Sequence, residues 1–163
     1  MAKTKTLTLT AMFAALAVVG SFIKIPVPPG TAALDSTPAF ISMAFLPAPF
    51  VAIAGAFGHI ATALTSGFPL SLPIHVLIAV EMAVVAGVAA VIYRKGFRKM
   101  AWVWIIIANG VLSPLPYYFI ISPAMYIAVA PGILIATLVN VVVSLLLLPI
   151  LQKIIFRSGV GIQ

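Results

Sequence analysis

The chain has 163 residues, of which 64% are hydrophobic and only 7% charged, with a formal net charge of +7. A soluble surface must be largely polar or charged, so this composition excludes a soluble globular protein and indicates an all-α, polytopic membrane protein. At about 20 residues per crossing, the length allows roughly six transmembrane helices in one domain over residues 1–163, with no room for a nucleotide-binding or catalytic domain.

Clusters of proline and glycine divide the chain into the predicted helices. The first helix has no obvious small-residue cleavage site, so we expect it to be retained and not removed as a signal peptide. A Pro-rich loop over 25–30 leads to a short second helix, and Ala130–Gly132 is expected to break the chain before the last one. The predicted ranges are about 6–23, 36–45, 50–65, 74–93, 100–112 with an irregular continuation to 121, and 133–156.

The basic residues lie at the ends of the apolar runs, which the positive-inside rule explains better than binding of nucleic acid. With six crossings, only Lys24 falls on one side of the membrane. The other side receives Lys3, Lys5, Arg94, Lys95, Arg98, Lys99, Lys153 and Arg157. This bias predicts that both termini are cytoplasmic, and it places most of the polar loop residues at the outer face. Such an arrangement is expected for a protein that captures something from outside.

The stretch Gly58–Glu81 concentrates polar groups, including both histidines and one of only two acidic residues. Polar groups at membrane depth are costly and usually line a cavity or a path where they persist. His59, Thr62 and Ser66 are spaced i, i+3 and i+7, so they share one helical face. That face either lines a ligand cavity or packs inward, with hydrogen bonds to neighbouring backbone.

Glu81 is about two turns inside the fourth helix, where a carboxylate needs a partner. No basic residue lies in the predicted interior, so we expect the partner to be His59 or a ligand donor. His75, at the start of the same helix, is either a ligand contact or an interfacial histidine exposed to water. Six residues at 100° each place His75 and Glu81 240° apart, which excludes an HExxH-type metal site. The chain also has no cysteine, and we expect no metal site and no cofactor.

Four further polar residues are candidates for the same site. Asp35 either caps the second helix or belongs to a loop that folds over a ligand. Asn109 and Asn140 are amides inside the fifth and sixth spans, and each needs a partner on another helix or on a ligand. Tyr118 is either part of an interfacial aromatic belt or stacks on a planar ligand.

Ala11 and Ala15 are small residues four apart in the first helix, a spacing that makes a smooth groove for another helix. With the six-helix topology, the Pro-rich loop ending at Asp35 and the short second and third helices, the chain resembles the substrate-binding S component of an energy-coupling factor (ECF) vitamin transporter over essentially its whole length. The resemblance implies a prokaryotic plasma-membrane protein, not an enzyme, that captures a vitamin or vitamin precursor and works with a T component and two ATPase subunits. It also implies that Ala11 and Ala15 dock onto the T component.

Two segments, GHIATALTSGFPLSLPIH and ALDSTPAF, are similar to the branch of that family associated with α-ribazole, a cobalamin precursor made of dimethylbenzimidazole and ribose. The resemblance implies that the ring rests on an aromatic residue or an apolar wall. It also implies that the ribose hydroxyls meet Asp35, Glu81, the histidines and the asparagines. The N-terminal histidine ligand of the cobalt and nickel S components is missing, which disfavours a metal cargo. Basic residues are missing near the outer site, which disfavours a polyanion.

Three other functions remain open from the residues alone. A proton-coupled carrier of a small aromatic or nucleoside-like solute would use Glu81 and His59 as a proton relay. An intramembrane enzyme would use Ser66 as a nucleophile, but the chain has no GxSxG-type context for it. A purely structural membrane subunit would leave the outer polar cluster without a ligand.

Overall fold

Long apolar runs between proline and glycine clusters form helices, because a backbone in lipid must satisfy its hydrogen bonds within the segment. The computed structural model describes residues 3–27 and 30–157. Pro28 and Pro29 of the predicted first loop and both chain ends lie outside the described residues. In order, the elements are α1 (Lys3–Phe22), β1 (Lys24–Val27), β2 (Gly30–Ala33), α2 (Ser36–Ser42), α3 (Ala48–Ser66), α4 (Leu72–Arg94), α5 (Arg98–Ile107), a π-helical segment (Ala108–Leu112), α6 (Leu115–Ile120) and α7 (Pro123–Arg157).

Five stretches of the described chain are long and apolar enough to cross a membrane. They are Lys3–Phe22, Ala48–Ser66, Leu72–Arg94, Arg98–Ile120 and Pro123–Ile155. The seven residues of α2 extend only about 10 Å, against a hydrocarbon core of about 30 Å. The helical, multi-span architecture is therefore confirmed, whereas six crossings and cytoplasmic termini stay predictions.

Two local expectations differ from the structure. The predicted loop after α1 contains an antiparallel hairpin, in which Lys24 pairs with Ala33 and Pro26 with Thr31. Pro26 is tolerated because a two-stranded hairpin has only edge strands. The expected break at Ala130–Gly132 is wrong, since α7 begins at Pro123 and continues through Pro131. Membrane helices tolerate an internal proline where neighbouring groups compensate for the missing backbone hydrogen bond.

The chain between α1 and α2 is held close to two helices by glycines. Gly20 of α1 lies against the backbone carbonyl of Leu34, and a Cβ atom at Gly58 of α3 would lie 2.8 Å from the carbonyl oxygen of Asp35. Any side chain at Gly58 would have to push this segment away. The two glycines therefore allow Asp35 to sit between α1 and α3.

Asn140 of α7 clamps the start of α2 and strand β2. Its Oδ1 accepts hydrogen bonds from the backbone N–H of Thr37 at 2.9 Å and from the Thr37 hydroxyl at 2.8 Å. Its Nδ2 donates to the carbonyl oxygens of Ala33 at 2.9 Å and Ala136 at 3.0 Å. A carboxamide has two acceptor sites and two donor hydrogens, so these four bonds fill it.

Replacing Asn140 with alanine is expected to lower the free energy of unfolding by about 2–4 kcal/mol, because the Thr37 N–H and the Ala33 carbonyl lose their partners inside the protein. Chemical unfolding in mixed micelles measures the loss. Asn109→Ala is the matched control. The Asn109 amide donates one hydrogen bond, to Thr137, and its loss is expected to cost about 1 kcal/mol. An equal or larger loss for Asn109→Ala would contradict the clamp.

Candidate functional site

A cavity of about 320 Å³ lies between the hairpin, the start of α2, helices α3 and α4, and the segment from the π-helical turn to α7. Its apolar wall includes Ile78, Met82 and Ile133. The predicted site residues that line it are Asp35, His59, Thr62, His75, Asn109 and Asn140. The other three, Ser66, Glu81 and Tyr118, are not among its lining residues. Tertiary packing thus brings six of the nine to one place.

Asp35 is buried, with 7% of its surface exposed, and its carboxylate accepts two hydroxyl hydrogen bonds. Thr62 Oγ1 donates to Oδ2 at 2.6 Å, and Ser36 Oγ donates to Oδ1 at 3.1 Å. Asp35 occupies the N-cap position of α2, yet its side chain makes no capping hydrogen bond. Burial raises the pKa of the Asp35 carboxyl above its ordinary value, and the hydrogen bonds from Thr62 and Ser36 oppose that rise. The side chain therefore joins α2 to α3 instead of capping α2.

The two histidines form a direct pair. His59 Nε2 and His75 Nδ1 are 3.1 Å apart, and the rings stack with their centroids separated by 5.3 Å. His75 is 6% exposed, and Phe68 of the α3–α4 loop packs against its ring edge-on. The buried Nε2 of His75 has no hydrogen-bond partner among the described residues. A polar atom buried without a partner is costly, so this nitrogen is available to a ligand.

Asn109 contributes a partly used amide from the π-helical segment. Its Nδ2 donates to Thr137 Oγ1 at 2.8 Å, and the Thr137 hydroxyl donates in turn to the carbonyl of Ile133 at 2.8 Å. Single π-helical turns inside α-helices frequently occur at functional sites. Unlike Asn140, whose amide is filled, Asn109 keeps hydrogen-bonding capacity for a ligand.

Glu81 lies behind the wall of the cavity. Its Oε2 accepts a hydrogen bond from Ser113 Oγ at 2.9 Å, and Ser113 itself lines the cavity. Glu81 lines a separate, mainly apolar cavity of about 260 Å³ that also reaches Ser113. Of the two expected partners of Glu81, His59 is wrong, because His59 pairs with His75. The proton relay required by the carrier hypothesis is also not continuous, since no hydrogen bond joins the two pairs within the described residues.

Two predicted residues lie away from this cavity. Ser66 Oγ accepts a hydrogen bond from Lys24 Nζ at 2.8 Å, which ties the hairpin to the end of α3. Tyr118 is 43% exposed and packs edge-on against Phe119 and Tyr126. Its position suits the aromatic-belt alternative.

Sequence reasoning missed several polar residues of the cavity wall. They are Thr31, Ser36, Ser113 and Thr137. Ser113 precedes Pro114 and reads as part of a helix break, and Thr137 is a single hydroxyl within an apolar run. The one signal that could have found Thr137 is its spacing of three from Asn140, which places both on one face of α7. Within residues 3–27 and 30–157, no three His, Asp or Glu side chains gather closely enough to hold a metal ion.

Ala11 and Ala15 are exposed on the surface of α1, one turn apart. The opposite, inward side of this helix carries Phe13 and Ala17, which are buried in the core. The pair is thus accessible at the outside of the helix bundle.

A protein-family model described as "ECF transporter, substrate-specific component" matches residues 5–158. Comparison with curated proteins gives no match.

Thr62→Val is expected to lower the free energy of unfolding by about 1.5–3 kcal/mol at a pH above the raised pKa of Asp35, because the ionised carboxylate loses its shortest hydrogen bond. The raised pKa of Asp35 means that ionisation of this carboxyl costs stability in the folded state, and the Thr62 bond reduces that cost. The loss should therefore shrink as the pH falls through the raised pKa and Asp35 becomes protonated. Unfolding in micelles at several pH values measures both effects.

Thr65→Val is the control for this experiment. The Thr65 hydroxyl is exposed and donates to the backbone carbonyl of Thr62, so its removal should change stability little at any pH. A loss in Thr62→Val that does not vary with pH would show that Asp35 is not the group that Thr62 stabilises.

Proposed function

The chain belongs to the family of substrate-specific components of ECF transporters, and we propose that it captures α-ribazole, or a closely similar vitamin precursor, at the outer face of a prokaryotic plasma membrane. Members of this family bind small molecules and work with a T component and ATPase subunits, so the chain is a transporter subunit and not an enzyme. The identity of the substrate and the details of the partners are the proposal.

The observation that carries the proposal is the position and composition of the cavity. His75 lines it, while Arg94 ends the same helix 19 residues further on, a separation of about 28 Å along the axis. The cavity thus lies toward the end of the bundle opposite the basic Arg94–Lys99 turn, which the positive-inside rule assigns to the cytoplasm. This position supports capture from the outer side.

The cavity suits a ligand that has an apolar ring and a polar part. Its volume of about 320 Å³ falls at the lower end of the range of roughly 300–1,000 Å³ that is usual for small-molecule sites. Ile78, Met82 and Ile133 offer an apolar surface for a benzimidazole. Asp35, the unpartnered His75 Nε2 and Asn109 are placed to receive polar groups such as ribose hydroxyls. Asn140 shapes the wall, because its own amide is already filled.

Transport would require the partner proteins. The described chain consists of one helix bundle with a small hairpin, and the energy would come from the two ATPase subunits through the T component. We propose that the exposed Ala11 and Ala15 form the docking surface for the T component. The loaded subunit would then tumble in the membrane to release its substrate, as the family implies.

Purified protein is expected to bind α-ribazole, and His75→Phe is expected to weaken binding at least about tenfold, or about 1.4 kcal/mol. Phenylalanine keeps the aromatic contacts with His59 and Phe68 but removes Nε2, together with Nδ1, the partner of His59. Titration calorimetry measures the affinity. Ser42→Ala is the control, because the buried Ser42 hydroxyl bonds the Ala39 carbonyl away from the cavity. Unchanged affinity in His75→Phe would remove this nitrogen from the site.

Ala11→Trp and Ala15→Trp are expected to leave substrate binding unchanged and to abolish uptake in liposomes that also contain the T component and ATPases. A large side chain on the exposed face of α1 prevents close helix approach. Leu146→Trp on α7, which is 65% exposed, is the control for a bulky surface residue. Uptake by the lone protein, driven by a pH gradient, would instead favour the proton-coupled carrier.

A further inference from the structure

The hydroxyl groups around the cavity have largely committed their protons to the protein. Within the described chain, six hydroxyl-bearing side chains line the cavity. Four of them donate to protein acceptors: Ser36 and Thr62 to Asp35, Ser113 to Glu81, and Thr137 to the Ile133 carbonyl. A hydroxyl has one hydrogen to donate and two lone pairs, so each of these four can offer a ligand only acceptor sites.

Three of these hydroxyls are held in that direction by carboxylates. Hydrogen bonds to a charged acceptor are roughly twice as strong as neutral ones. If Ser36, Thr62 or Ser113 turned to donate to a ligand, a carboxylate oxygen of Asp35 or Glu81 would lose its donor inside the bundle. Rotation toward the ligand is therefore disfavoured.

The charges around the cavity also favour a ligand that donates hydrogen bonds and disfavour an anion. The lining residues include the Asp35 carboxylate, and Glu81 lies directly behind Ser113, but no lysine or arginine of the described residues lines the cavity. Donors that remain for a ligand are the hydroxyls of Thr31 and Tyr117, the second hydrogen of the Asn109 amide and the histidine pair. A carboxylate or phosphate ligand would need a positive charge beside these donors, and it would lie close to the carboxyl groups of Asp35 and Glu81 instead.

We propose that the cavity selects uncharged or cationic ligands that are rich in hydrogen-bond donors, and that Ser113, oriented by Glu81, accepts a hydrogen bond from a ligand hydroxyl or amine. This inference rests on the proposed function, because it concerns the same site. It adds which ligands that site accepts and which it rejects. Glu81 is a positioning residue in this arrangement, since it acts through Ser113 without lining the cavity.

The test compares α-ribazole with analogues in which each ribose hydroxyl in turn is replaced by fluorine, and with the 5′-carboxylate. Fluorine has nearly the size of the hydroxyl but cannot donate a hydrogen bond. A site built to accept a hydrogen bond rejects the analogue that lacks the donor. At least one fluoro analogue is expected to bind tenfold or more weakly than α-ribazole, and the carboxylate is expected to bind more weakly still.

Variants assign this discrimination to the two residues. Ser113→Ala should weaken α-ribazole binding and bring one hydroxyl–fluorine pair to nearly equal affinity. Glu81→Ala frees the Ser113 proton and should reduce the same ratio, whereas Glu81→Gln keeps an acceptor for Ser113 and should preserve most of it. A merely structural role of Glu81 would lower all affinities together without changing the ratio. Ser42→Ala is the control and should leave every ratio unchanged.

The outcomes separate this inference from the proposed function. Equal affinities for the hydroxyl and fluoro compounds, or tighter binding of the carboxylate, would overturn the inference while uptake with the partners still supported a transporter subunit. Discrimination that persists without uptake would support the inference and count against the proposed function.

If α-ribazole does not bind, the inference is tested by native mass spectrometry of the protein purified from its own membranes, which identifies any ligand that co-purifies. A co-purified carboxylate or phosphate overturns the inference, as does the absence of any bound ligand. A co-purified uncharged polyol or an amine supports the inference and contradicts only the choice of α-ribazole as the substrate.

Discussion

The hydrogen bonds of one buried amide determine where the hairpin and the start of α2 lie against α7. Asn140 joins α7 to Thr37 at the start of α2 and to Ala33 in β2, and Ser144 adds a bond to the Thr37 carbonyl. Apolar packing alone is weakly directional, and in a membrane it provides little difference between helix–helix and helix–lipid contacts. The amide supplies the direction that packing lacks. Because Asp35 lies two residues before Thr37, the position of the buried carboxylate depends on this clamp.

The requirement that buried polar groups be paired then sets the chemical character of the cavity. Asp35 is satisfied by the hydroxyls of Thr62 and Ser36, and Glu81 by the hydroxyl of Ser113. The same bonds that stabilise the fold use up the hydroxyl protons, so the lone pairs of these oxygens remain for a ligand. In the site that we propose, stability and selectivity are thus two consequences of one network. Among the described residues, the unpartnered Nε2 of His75 is the exception, and it marks the place where the fold leaves a buried polar group to be satisfied by something else.

The prediction from sequence succeeded for features that amino-acid composition and the spacing of residues along a helix are sufficient to indicate. It identified a helical membrane protein, the Pro-rich connection before Asp35 and the polar concentration in Gly58–Glu81, and the family match over residues 5–158 confirms the general class. It was wrong about the break at Ala130–Gly132, because proline was treated as a helix terminator although a membrane helix tolerates it. It also gave His59 as one of two alternative partners of Glu81, since the helical face of each residue was known but the rotation of α3 against α4 was not.

The sequence by itself determined the solvent in which this protein folds, because an apolar fraction of 64% with 7% charge can be satisfied only in lipid. It also determined which few residues had to find partners, since a polar group in an apolar chain is costly wherever it lies. Only the tertiary structure decided who those partners are. The partner of His59 is 16 residues away in the chain, the partner of Glu81 is 32 away, and that of Thr37 is 103 away. Such pairings depend on helix rotation and register, which a local pattern does not encode, and they decided that Glu81 stands behind the cavity and Ser113 in its wall.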